Sequence, residues 1–163
     1  MPPAVQFRRG TTSQHSSFTG AAGEITVDTD KDVAVIHDGS TAGGFPLAAI
    51  AKAQTFTAAQ RGTVSTLTSG ATVTPNFATA NNFSLSLGVN TTIANPTNLS
   101  AGQSGAIAIT YSGSYTVAFG SYWKFTSGSA PTATSTSGKT DVLVYYVESS
   151  TRISAQLLLN MGG

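Results

Sequence analysis

The chain contains no cysteine. That excludes disulfide staples, Cys-ligated zinc and a thiol nucleophile. Charge is also scarce: 9% of the 163 residues are charged, against about 25% in an average soluble protein. The 8 basic and 7 acidic residues leave a net charge of +1. Such a balance offers no Lys/Arg footprint for displacing counterions from phosphates, so neither a nucleic-acid partner nor a polybasic membrane-surface role is expected. No apolar run reaches the roughly 18 residues of a membrane-spanning helix, and Met1–Arg9 lacks a signal-peptide core. The chain is therefore expected to be used whole, from Met1 to Gly163.

What covers the surface instead is hydroxyl: 20 Ser and 25 Thr. The few charges are unevenly placed. Glu24, Asp28, Asp30, Asp32 and Asp38 crowd one short stretch, whereas Lys124 is the only charged residue between Gly62 and Gly138. This shift divides the chain into a module at 1–48, a linker at 49–62 and a distal module at 63–163. The run Ala48–Gln54 has good helix propensity and is expected to form one or two helical turns.

The first module reads as hairpins. Glu24–Asp28 alternates polar and apolar, and Asp32–His37 follows a short acidic turn. Pairing Val27 with Val33 and Ile25 with Val35 would put all four on one face, with Ile36 on the other. About ten sizeable apolar residues in fewer than 50 positions cannot support an independent fold. An intertwined oligomer would bury the second face, making Phe7, Ile25, Val27, Val35, Ile36 and Phe45 the expected subunit interface.

Alternation is clear in the distal module too, at Phe83–Leu87, Ile107–Ile109 and Tyr115–Phe119. The strongest hairpin pairs Val147 with Ile153, Tyr145 with Ala155 and Leu143 with Leu157. Its outgoing strand is apolar on both faces and is expected to be central in its sheet. Short strands between Gly, Ser, Asn and Pro turns indicate a β-sandwich or jelly-roll-like module, with 126–140 as a long exposed loop.

The catalytic inventory is thin. Asp28, Asp30 and Asp32 have the opening spacing of a calcium loop, but Val33 and Gly39 stand where an EF-hand needs Gly and Glu, so these aspartates are read as turn caps. His15 and His37 are the only imidazoles. No Gly-x-Ser-x-Gly elbow supports a triad, and both are read as structural; the other reading is one His per chain clustering on a symmetry axis to hold an ion. Asp141 and Glu148 close one strand at ends about 20 Å apart, outside either glycosidase separation. No enzyme activity, cofactor or metal is expected. Trp123, beside Tyr122 and Phe125, is read first as a core anchor; in the alternative reading Trp123 and Tyr122 are glycan contacts.

A specific string now stands out: Gln6-Phe7-Arg8-Arg9-Gly10-Thr11, His15, Phe18, Gly20, Gly23-Glu24-Ile25-Thr26-Val27-Asp28, His37-Asp38-Gly39-Ser40-Thr41 and Gly43-Gly44-Phe45-Pro46-Leu47. It resembles the N-terminal module of tailed-bacteriophage fibre and tropism-determinant proteins. The resemblance implies a small, intertwined, trimeric β-prism-like unit. Residues 56–158, through Phe56–Gly62, Asn95–Leu99, Ala101–Gly105, Trp123–Phe125 and Asp141–Val147, resemble the distal modules of phage structural proteins. The expectation is an all-β, non-enzymatic virion protein: a homotrimeric appendage of tail-fibre or head-fibre type. Capsid decoration and carbohydrate-binding host adhesion are the alternatives. Its partners would be itself, other virion proteins of tail or capsid, and a host surface glycan. Arg8 and Arg9 would attach the first module to the particle, with loop 126–140 pointing outward.

Overall fold

The computed structural model describes residues 5–48, 53, 55–56 and 58–161. It separates into two compact units, Met1–Ala59 and Gln60–Gly163. The helical turns expected over 48–54 fall largely outside the described residues. Both units are β-structured, so the all-β class expected from the alternation holds.

In the N-terminal unit, β1 (Arg9–Gly10), β2 (Ile25–Asp28), β3 (Val33–Ile36) and β4 (Phe45–Pro46) form one sheet in that order. A single helical turn, α1 (Thr12–His15), follows β1. It starts where Thr11 accepts the Gln14 N–H and the Gln14 side chain accepts the Thr11 N–H, a reciprocal capping box. The β2–β3 register differs from expectation by one residue: Ile25 faces Ile36, Thr26 faces Val35, Val27 faces Ala34 and Asp28 faces Val33. Since both faces of β3 carry apolar residues, hydrophobic pattern cannot select between the registers, and the turn decides. Buried Asp28 accepts the N–H groups of Asp30 and Lys31, and Asp32 takes a left-handed φ of 52°, closing a four-residue loop. Ile36 therefore lies opposite Val33 and Val35, as expected, but shares its face with Ile25 and Val27.

The distal unit packs two sheets over one core. β5 (Val64–Leu67), β7 (Asn82–Leu87) and β9 (Ser104–Tyr111) run parallel in the larger sheet. β6 (Thr72–Val73), β8 (Thr91–Ile93) and β10 (Val117–Phe119) run parallel in the smaller one. Successive strands thus alternate between sheets, one rung after another. The two sheets share a core as in a sandwich, but the rungs stack in parallel like a short solenoid, unlike the antiparallel keys of a jelly roll. The larger sheet is completed by β11 (Trp123–Lys124), β12 (Thr140–Ser149) and β13 (Arg152–Leu158), in the order β11-β13-β12-β9-β7-β5. The β12–β13 pairing follows the sequence reading: Val147 with Ile153, Tyr145 with Ala155, Leu143 with Leu157. β12 is central, between β13 and β9.

Inward residues of each rung fill the core: Phe83, Leu85 and Leu87 from β7, Ile107, Ile109 and Tyr111 from β9, Leu143, Tyr145 and Val147 from β12. Val73 and Ile93 close it from the smaller sheet. Burying each such side chain contributes about 1.5–3 kcal/mol. Gly105 is required by close approach, since a Cβ there would lie 1.7 Å from the Asn81 carbonyl oxygen. That carbonyl accepts the Tyr145 hydroxyl at 2.6 Å.

Trp123 belongs to this core. It is 5% exposed, packs edge-on to Phe77 and Tyr145, and donates its indole N–H to the Ala94 carbonyl at 3.1 Å. Trp123 is thus a core anchor, the first of its two sequence readings, and the alternative reading as a glycan contact is corrected because the ring has no free face. Tyr122 is half-buried against the same cluster.

Loop 126–140 is irregular as expected, apart from a 3₁₀ turn at Thr126–Gly128. Its middle is tied down. Asp141, fully buried, accepts the Thr134 N–H and hydroxyl, the Tyr111 hydroxyl and the Asn160 N–H. Burial pushes its carboxyl pKa up, but these donors outweigh burial and hold it below the ordinary value.

Candidate functional site

The N-terminal sheet has two unlike faces, both set by the β2–β3 register. One carries Ile25 beside Ile36, and Ile36 beside Phe45. Carrying the Arg9–Val27 register two residues back sets Phe7 level with Ile25. Ile25, Ile36 and Phe45 form a row across β2, β3 and β4, exposed to 42%, 39% and 53%, and Phe7, two residues before β1, is exposed to 55%. Exposed Leu47 extends the row's margin, its N–H bonded to the Ala34 carbonyl. The strip is contiguous, unlike the singly scattered apolar residues of an ordinary surface. Val27 is half-buried on this same face. Val35 is 1% exposed on the other and packs inside its own unit, so the expectation that it reaches the subunit interface is corrected. The one-residue register shift is the reason.

The other face is buried and polar. Thr26, fully buried, stands between two imidazoles: its hydroxyl is 2.8 Å from His15 Nε2 and 2.9 Å from His37 Nε2. The Gly20 N–H donates to His37 Nδ1 at 3.3 Å, so the ring proton of neutral His37 sits on Nε2 and points to Thr26. The Thr26 hydroxyl then donates to His15 Nε2. His15 Nδ1–H donates to the Thr11 carbonyl at 3.0 Å. The donors run in one direction from Gly20 to Thr11, and all four ring nitrogens have partners within the unit. The rings lie near-parallel, 6.3 Å apart, with Phe18 edge-on to His37 at 5.2 Å. Two signature glycines make room for this pair. A Cβ on Gly20 would come within 2.5 Å of the His37 ring, and one on Gly44, at φ +59°, within 2.7 Å. Both histidines serve the structure, as the sequence indicated. The Thr26 hydroxyl that donates to His15 Nε2 is fully buried between the two rings. Among the described residues, no three His, Asp or Glu side chains gather as a metal site.

Asp28 caps its turn, in line with the sequence reading, whereas the Asp30 carboxylate accepts the Thr12 N–H at the start of α1 at 2.9 Å. Asp28, buried on the polar face, also accepts the Thr12 hydroxyl at 2.7 Å. Burial raises its pKa, and the hydrogen bonds from Thr12, Lys31 and Asp30 outweigh that and lower it. Asp38, exposed, accepts the N–H and hydroxyl groups of both Ser40 and Thr41, which hold its carboxyl well below the usual range.

Arg8 and Arg9 border a cleft of about 210 Å³ with Gln14, His15, Phe18 and Thr26. Arg8 pairs with Glu24 at 3.1 Å and lies over the Phe18 ring, 4.9 Å from its centre. Arg9 is exposed beside it. Arg8 therefore braces the unit, which leaves Arg9 the more available for an outside contact.

Residues 5–41 match the family model for the major tropism determinant N-terminal domain. The chain is 75% identical over 48 residues to the tail fiber receptor-binding protein of Bordetella phage BPP-1, across 29% of this chain and 13% of that relative. Solved structures of the major tropism determinant I1 and M1 variants share 76% identity over 28% of this chain and 12% of theirs, each with a TM-score of 0.28. The similarity to the tropism-determinant N-terminal domain thus lies in the N-terminal unit. The matched segment is only a small part of the curated relative's length.

Proposed function

We propose that this protein is a phage virion component that forms a homotrimeric, receptor-binding tail appendage without enzymatic activity. The observation that carries the reading is the 75% identity over 48 residues to a tail fiber receptor-binding protein. The strip Phe7–Ile25–Ile36–Phe45 would be buried between copies of the chain, supplying the apolar area that each unit lacks alone. Arg9 and its cleft would face the particle. The distal unit, coated with hydroxyls, would face the medium. The tail-fibre relative favours the tail over capsid decoration.

Competition for host cells tests the reading. Purified full-length protein, added before infection, should lower virion adsorption to the host in a dose-dependent way. Unchanged adsorption at saturating protein would overturn a receptor-binding role.

A further inference from the structure

The distal unit carries six charged residues: Arg61, Lys124, Lys139, Asp141, Glu148 and Arg152. Asp141 is buried in the core. Three of the remaining five meet at one place, the outer face of β11, β13 and β12. There Lys124 pairs with Ser154, and Ser154 pairs with Tyr146, in a single row across three strands. Arg152 and Gln156 flank Ser154 along β13, facing the same way. Together with Phe125, these residues line a groove of about 510 Å³. Tyr146 is 51% exposed, unlike its neighbour Tyr145, which points into the core.

The hydrogen bonding of the groove is lopsided. The neighbouring carboxylate, Glu148, is engaged at both oxygens: one accepts Arg152 Nε–H at 2.7 Å and the other accepts the Ser154 hydroxyl. Arg152 uses only Nε in this pair, so its two terminal nitrogens keep their donors. Lys124 spends one donor on the Ser121 carbonyl at 2.7 Å and keeps the rest. The groove thus offers unspent cationic donors on β11 and β13, to one side of the exposed Tyr146 ring on β12, with net charge +1 once Glu148 is counted. The row from Lys124 to Tyr146 spans two strand spacings, about 10 Å, and Arg152 to Gln156 spans about 13 Å. That footprint suits roughly two pyranose rings.

We propose that this groove is a binding site for an acidic glycan, with a pyranose ring lying on Tyr146 and its carboxylate held by the Arg152 guanidinium and the Lys124 ammonium. A tyrosine ring gives the C–H face of a sugar a flat apolar support at low entropic cost. An arginine fork matches a carboxylate in two parallel bonds. Ser154 and Gln156 lie within the footprint to pair with sugar hydroxyls. Two cations are too few for a nucleic-acid backbone. The proposal rests on the receptor-binding reading and names the chemistry of its ligand.

The test is binding of full-length protein to an array of uronic-acid-containing, sialylated and neutral oligosaccharides, followed by calorimetric titration of tetragalacturonate and of maltotetraose. Acidic members should be retained and neutral ones should not, with affinity falling as salt rises. Tyr146→Ala and Arg152→Gln should each weaken binding roughly tenfold, whereas Ser86→Ala, on the same sheet face at β7, should leave it unchanged. Unaltered melting temperatures would show that the variants remain folded. Retention of no acidic glycan, preference for neutral ones, or full binding by Tyr146→Ala would overturn the proposal. Adsorption blocked by a protein that binds no acidic glycan would overturn this site alone and leave the receptor-binding reading standing.

Discussion

Ile25 and Ile36 face each other across the β2–β3 pair, on the open side of the N-terminal sheet. This pairing sets Ile25, Ile36 and Phe45 in one exposed row, and it makes the proposed assembly sensitive to a single charge.

Ile36→Asp should prevent assembly. The carboxylate would sit at the centre of the strip, where burial against another copy leaves it unpaired at a cost of several kcal/mol, on the order of 3–5. Light scattering on the full-length parent should give three times the 16.6 kDa chain mass. The variant should run as monomer or aggregate. A parent that is a stable monomer at micromolar concentration, or a variant that stays trimeric, would count against the strip as interface.

Thr26→Val keeps the shape and removes the hydroxyl between the two imidazoles. His37 Nε2–H and His15 Nε2 would both lose their partner inside the buried face, costing about 2–3 kcal/mol. Thermal melting should drop by several degrees, while Thr26→Ser should keep most of the stability. Equal melting of Thr26→Val and parent would show that the relay is not a source of stability.

Asp141 links loop, core and C-terminal segment, and its folded pKa is depressed. A depressed carboxyl stabilises the fold above its unfolded pKa of about 3.9, and the stabilisation is lost as pH falls through the lower folded value. The distal unit should therefore melt at nearly constant temperature from neutral pH to about pH 4 and lose stability below it. Asp141→Asn cannot accept from Tyr111, Thr134 and Asn160 together, and should cost about 3 kcal/mol at neutral pH while flattening the acid limb. A parallel acid limb in both proteins would assign the titration elsewhere.

Loop 126–140 should be cut selectively. Ser127 to Ala130 are exposed, whereas Thr134 is held by Asp141. A broad-specificity protease acting on intact particles should nick near Ser127–Ala130 and spare Thr134 and residues 5–48. Early cutting at Arg8–Arg9 with loop 126–140 intact would mean that the N-terminal unit faces outward.

Much of this molecule was legible in its sequence. The β12–β13 register followed from alternation together with the short turn at Glu148–Thr151, which brings Val147 opposite Ile153. The β2–β3 register did not, because Ala34 and Ile36 are as apolar as Val33 and Val35, and the choice falls to the Asp28 turn. Period-2 alternation identifies strands without giving their direction, so the parallel rungs of β5, β7 and β9 were hidden. Trp123 showed the opposite difficulty: an aromatic cluster in sequence says nothing of which ring is covered. The signal for Tyr146 was present, since the hairpin register sets it on the face opposite Tyr145 and beside Ser154, with Arg152 two residues away.

The account turns on where the protein sits. Gold-labelled antibody to residues 63–163, applied to intact virions purified from the source and viewed by negative stain, tests this most directly. The account predicts label at the distal end of the tail. Label distributed over the head, or virions that carry none, would contradict it.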